Sequence, residues 1–227
     1  MLISTSKKLV ILSNSKCGTT SIRAALSKKC EIRVGTTPQL KHISAAKFTK
    51  IWKPFLSDKL GIGNLFVICT TRPPTSKIIS WYKYRSRGQI KGTKRYLGDT
   101  PFKDFCANCM KKQADRFFFD ESTYKPWVDI AVPLEKISIL EAFLCKEFNI
   151  NQIPRINSSD SVAPSSIAAK MDTHDYDEII ERELKNASKD FTKSMDRHNQ
   201  ILSFFSSSER RELRSEAANF RQIFERT

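Results

Sequence analysis

The chain has 227 residues, 40% of them apolar, and a formal net charge of +15. Such a length suits one sizeable core in a single domain over 1–227, and no apolar run reaches the roughly 18–20 residues of a membrane span. Lys7 and Lys8 precede a short apolar run that has no signal-peptide cleavage pattern, so the expected setting is cytoplasmic. The charge is uneven: residues 1–112 hold 23 Lys and Arg against 4 Asp and Glu, residues 113–227 hold 16 against 20. A positive field over the first half draws polyanions, a nucleotide cofactor and a nucleic acid alike.

Leu9-Val10-Ile11-Leu12 reads as a strand buried on both faces, and Thr20–Lys29 as a helix with Ile22, Ala25 and Leu26 on one face. Between them, Ser13-Asn14-Ser15-Lys16-Cys17-Gly18-Thr19-Thr20-Ser21 forms a tight polar loop. Gly18 permits close backbone approach, the hydroxyls of Thr19, Thr20 and Ser21 offer N-caps, and Lys16 adds a charge. With the free N–H groups of a helix start, these residues make an anion cradle, or else an ordinary capped turn. Lys16 comes two residues before the only glycine of the loop, which is not the G-x-x-x-x-G-K-[ST] order of a nucleoside-triphosphatase.

Glu31–Val34 is a short strand candidate, and Lys41-His42-Ile43-Ser44-Ala45 leads into a helical pattern through Trp52 that Pro54 should interrupt or end. Leu65–Thr70 is the second strong strand; it runs into Arg72-Pro73-Pro74 and a helix through Tyr82. Residues 85–100 read as a mobile basic loop and Pro101–Lys112 as a helix. Further on come a strand at Trp127–Val132, helices at Glu135–Phe148 and Asp175–Lys189, and a final helix at Glu209–Arg226 capped by Ser207 or Ser208. Strands alternating with helices predict an α/β protein with a parallel sheet. The six cysteines, Cys17, Cys30, Cys69, Cys106, Cys109 and Cys145, suit a reducing compartment without a disulfide framework. Cys106 and Cys109 have C-x-x-C spacing but no second pair, so two thiols on one helical face are favoured over zinc.

Two motifs carry a resemblance. Lys16-Cys17-Gly18-Thr19-Thr20-Ser21 resembles the 5′-phosphosulfate loop of the sulfotransferases that use 3′-phosphoadenosine 5′-phosphosulfate (PAPS), with Ser15 where proline is common. Arg72-Pro73-Pro74-Thr75-Ser76-Lys77-Ile78-Ile79-Ser80-Trp81-Tyr82 resembles their 3′-phosphate motif; Pro73 replaces the usual acidic or amide residue and Lys77 the second arginine. A magnesium-dependent phosphoryl-transfer enzyme would want Asp at the end of this second strand; Arg72 can instead grip an anion directly. Lys41-His42-x-x-Ala45, Asp129-x-x-x-Pro133-Leu134-Glu135-Lys136-Ile137 and Ile156-Asn157-Ser158-Ser159 are similar to further segments of the carbohydrate-type and bacterial branch, with Pro133 replacing an arginine. The resemblance covers roughly residues 8–160.

It implies a P-loop-like parallel sheet flanked by helices, the sulfotransferase fold, and metal-independent in-line sulfuryl transfer from PAPS to a hydroxyl or amine, of a carbohydrate by preference. It further implies that Lys16, Cys17, Gly18, Thr19, Thr20 and Ser21 hold the 5′-phosphosulfate, and Arg72 and Ser80 the 3′-phosphate. His42 is the preferred general base, because imidazole titrates near neutrality, with Glu135 second. The basic loop 85–95, with Tyr84 and Tyr96, is suited to an acidic glycan acceptor and equally to a solvated surface. A P-loop kinase, a non-enzymatic polyanion binder and a sulfotransferase fold without activity are the competing readings.

Overall fold

The structure is a computed structural model that describes residues 1–35, 37–120, 122–123, 125–156, 171–206 and 212–224. These fall into two compact units: Met1–Arg72, Asp115–Ile156 and His198–Thr227 in the first, Pro73–Ala114 and Asn157–Arg197 in the second.

The first unit holds a five-stranded mixed sheet flanked by helices. Its strands are β1 (Leu2–Ser4), β2 (Leu9–Leu12), β3 (Ile32–Arg33), β4 (Phe66–Thr71) and β5 (Ile130–Pro133), in the order β3-β1-β2-β4-β5. β2, β4 and β5 are parallel neighbours, with Leu9 opposite Phe66 and Ile68 opposite Ile130. Every residue of these three strands is buried, as their unbroken apolar runs require. The expected all-parallel sheet is corrected by β1, which runs antiparallel to both β2 and β3. Lys8, in the left-handed region at φ 49°, turns the chain between β1 and β2, and Lys8 N–H donates to Thr5 O at 3.2 Å.

The helices of this unit begin with α1 (Thr19–Leu26), α2 (Pro38–Lys41) and α3 (Ala45–Lys47), which continues into π-turns over Phe48–Trp52 and Phe55–Lys59. Pro54 does not end this helix. It stands between the two wide turns, whose shifted hydrogen-bond register accommodates a residue without an N–H. In the second unit, α4 (Pro74–Arg85) and α5 (Phe102–Met110) flank a short 3₁₀ turn at Gly88–Ile90. After β5, a 3₁₀ turn at Leu134–Lys136 leads into α6 (Ile137–Phe148) of the first unit.

α7 (Thr173–Leu184) starts in a capping box, with Asp175 N–H on Asp172 Oδ1 and Asp172 N–H on Asp175 Oδ2, each at 2.9 Å. It ends before the expected Lys189. There α8 (Lys189–Ser206) begins, a helix absent from the sequence reading. The last helix, α9 (Ala217–Gln222), starts after the described residues 212–216; residues 209–211 and 225–226 of the expected Glu209–Arg226, and its proposed caps Ser207 and Ser208, lie outside the described residues. Each unit has its own core. Val10, Ile68, Ile130, Leu140 and Phe220 belong to the first, and Tyr82, Phe102, Cys106, Tyr176 and Phe191 to the second.

Candidate functional site

β2 ends at Leu12, and the chain turns through Ser13–Gly18 into α1. Two residues of this loop have left-handed backbone, Lys16 at φ 62° and Gly18 at φ 71°. A non-glycine residue there is uncommon and costs about 1–2 kcal/mol. Gly18 itself is the N-cap of α1, which corrects the expected threonine or serine cap; no side-chain cap bond forms at this helix start. A Cβ on Gly18 would lie 3.0 Å from Leu134 Cδ1, so both conformation and space require glycine. A left-handed residue followed by a right-handed helix start turns successive N–H groups toward one point, the geometry of an anion nest.

The loop is tied to the neighbouring strand β4. Asn14 Nδ2 donates to Thr70 O at 3.1 Å, Thr70 Oγ1 donates to Cys17 O at 2.6 Å, and Arg72 Nη1 donates to Lys16 O at 3.4 Å. Asn14, Cys17, Thr19 and Thr70 are buried; Lys16, Thr20, Ser21 and Arg72 are half-buried. Cys17 Sγ lies 3.4 Å from Ser15 O, and the Ser21 hydroxyl accepts from Ile156 N–H at 3.0 Å. Asn14 and Thr70 are the residues that sequence reasoning missed. Each is a polar residue at the carboxyl end of an apolar strand, the one signal that could have marked them.

His42 reaches the same loop from the other direction. Its Nδ1 is 2.7 Å from Ser13 O. A carbonyl only accepts, so Nδ1 carries the proton and Nε2 of the neutral ring keeps its lone pair. Burial lowers the His42 pKa below its ordinary value; the Ser13 carbonyl works against this, and the charges of Lys41 and Arg23 add to the lowering. The imidazole is therefore neutral near pH 7.

The other proposed residues stand as follows. Ser80 is half-buried on α4 in the second unit, and Lys77 on the same helix is buried, with Nζ 5.6 Å from the centroid of the Trp81 ring. Tyr82 is a core residue, its hydroxyl donating to Thr100 O at 3.0 Å. In loop 85–95, Arg85 Nε donates to Arg95 O at 2.8 Å and Arg87 lies over the Tyr84 ring. Glu135 faces buried His198, with Oε1 3.4 Å from Nε2. Asp129 has a structural partner: its Oδ2 accepts from Val67 N–H at 2.7 Å, joining β5 to β4. Asn157, Ser158 and Ser159 lie outside the described residues.

Cys106 is buried in the second core, which pushes its thiol up to about 12. A protonated thiol is a poor metal ligand. Among the described residues no group of three or more His, Cys, Asp and Glu is placed to hold a metal ion, and no helix is long and apolar enough to cross a membrane.

Fold and site together define an α/β protein in which the loop carrying Lys16 and the residue Arg72 meet at the carboxyl ends of two adjacent parallel strands. No protein-family model matches the chain, and no curated protein matches it at a significant level.

Proposed function

We propose that the chain is a PAPS-dependent sulfotransferase acting on a hydroxyl or amine, with a carbohydrate as the favoured acceptor class. The observation that carries this reading is the meeting of the Lys16 loop with Arg72 at the ends of β2 and β4, where the Arg72 guanidinium bonds the Lys16 carbonyl. A cradle that needs glycine at position 18 and leaves its helix start without a side-chain cap fits a phosphate-sized anion. An arginine on the adjacent strand end fits a second one.

PAPS, when bound, supplies the sulfuryl group. Lys16 and the first N–H groups of α1 would hold its 5′ end, and Arg72 its 3′-phosphate. Lys16 would balance negative charge at the 5′ end, in the way electrostatics serves group transfer in general. His42 Nε2 would accept the proton of the acceptor, while Ser13 O fixes the tautomer through Nδ1.

The test is a thermal melt with the product nucleotide 3′-phosphoadenosine 5′-phosphate (PAP). At a hundredfold excess over Kd, linkage gives about 2.7 kcal/mol of stabilisation, a rise of about 5 °C or more for a chain of this size. Arg72→Ala should remove the shift. A shift with ATP and magnesium but none with PAP would instead identify a nucleoside-triphosphate enzyme. Transfer of labelled sulfate from PAPS to a panel of glycans and small alcohols would then test activity.

A further inference from the structure

The helical segment from α3 through the two π-turns already has a buried face, made by Ala45, Phe48 and Leu56 with Trp52 partly covered. It carries further apolar side chains that stay in solvent: Ile51 is 61% exposed, Phe55 50% and Leu60 51%. Six large apolar residues are exposed among the described residues, and three of them fall in these ten positions. Scattered exposed apolar residues are ordinary; a cluster marks an interaction surface. Ile51, Phe55 and Leu60 follow at intervals of four and five, the latter the repeat of a π-turn.

Charge narrows the partner. Lys47, Lys50, Lys53 and Lys59 are all exposed in the same segment, against a single acid, Asp58, which accepts from the Ser57 hydroxyl at 2.9 Å. Protein–protein interfaces are depleted in lysine, and a nucleic acid offers no lipid-like phase for isoleucine, phenylalanine and leucine. Lysines beside large apolar side chains on one amphipathic segment are the composition of a helix that lies in the surface of an anionic bilayer. We propose that residues 47–60 dock the protein on anionic phospholipid membranes, with Ile51, Phe55 and Leu60 entering the headgroup–acyl boundary and the lysines meeting lipid phosphates. The net charge of +15 supports the encounter at longer range. This inference does not depend on the nucleotide reading.

The test is flotation of the full chain with phosphatidylcholine vesicles, alone or with about 30 mol % phosphatidylserine. Binding should be at least about tenfold stronger with phosphatidylserine and should fall as salt rises. The triple variant Ile51→Ser, Phe55→Ser, Leu60→Ser should lose about tenfold or more, and Lys47→Ser, Lys53→Ser, Lys59→Ser about fivefold per lysine. Both should keep the wild-type melting temperature and PAP response, because the altered side chains are exposed. Phe55→Trp should be quenched by brominated lipid, a readout that does not depend on the triple variants. Equal binding to neutral vesicles would overturn the proposal, as would an apolar triple variant that binds like the wild type. Self-association lost in that variant, without lipid binding, would assign the surface to a second copy and also overturn it.

Discussion

Lys16→Gly separates what the loop does for the fold from what it does for an anion. Lys16 sits at φ 62°, a conformation that costs a non-glycine residue about 1–2 kcal/mol. Glycine removes that cost but loses about 0.5–1 kcal/mol through the freedom it gains in the unfolded chain. The backbone balance favours glycine over another residue here by up to about 1.5 kcal/mol, seen as about 0–6 °C. Lys16→Ala keeps the strained backbone and should melt below Lys16→Gly. Both variants remove the same ammonium group. A hydrogen bond to a charged group contributes about 1.5–3 kcal/mol, so each should bind PAP about 10- to 150-fold more weakly. The assay is a thermal melt with and without PAP, followed by calorimetric titration. If Lys16→Gly melts below Lys16→Ala, which loses the same side chain, the strain argument is wrong. If it keeps the full PAP shift, Lys16 is not a ligand.

Gly18→Ala should act in the opposite sense, losing about 1–3 kcal/mol through the left-handed backbone and the contact with Leu134 Cδ1; adding Leu134→Ala should recover only the contact part, measured by denaturant midpoint. His42 has a native pKa lowered chiefly by burial, so below its ordinary value of 6.5 the unfolded chain takes up the proton first. Stability should therefore be full above pH 6.5 and fall as pH drops toward the lowered native value, and His42→Gln should flatten that slope in melts at stepped pH. If His42 is the general base, the acid limb of kcat/KM should likewise lie below pH 6.5, and a limb above it would exclude His42. Asp129→Ala should cost about 1–3 kcal/mol by leaving Val67 N–H without its acceptor, with the urea m-value unchanged.

β2 and β4 were legible because a strand covered on both faces needs an unbroken apolar run, and Leu9–Leu12 and Leu65–Thr70 supply it. β1 was not, since three residues show no period. α8 escaped for a different reason: its buried stripe at Phe191, Ser194, His198, Ile201 and Phe205 has helical spacing but contains polar residues, which an apolar count discards. Pro54 misled because an α-helix cannot absorb it, whereas π-turns can. The second core was not read at all. Tyr82, Phe102 and Tyr176 meet there from segments up to 94 positions apart in sequence, their rings in edge contact. In the site, the loop and Arg72 were legible because each directly follows a strong strand. The bonds of Asn14 and Thr70 were not, because they depend on β2 and β4 being neighbours, which no local pattern states.

Strand order explains why the polar groups gather where they do. The chain leaves β2 for β3, on one side of the sheet, and leaves β4 for β5, on the other. Connections that depart in opposite directions leave the carboxyl ends of the two middle strands uncovered between them, the position where open α/β sheets hold ligands. Here that position receives groups from both directions. Arg72 arrives from β4 and bonds Lys16, the fourth residue of the loop; His42 arrives from the β3 side and bonds Ser13, the first. Both contacts use backbone carbonyls. Arg72 and His42 thus hold two loop carbonyls, and under the proposed function the N–H groups at Gly18 and the start of α1 would meet the anion. Under the proposed function, the Arg72 guanidinium beside that turn would supply charge for the anionic group, and the neutral His42 imidazole at the loop's far end would offer a lone pair for the acceptor's proton.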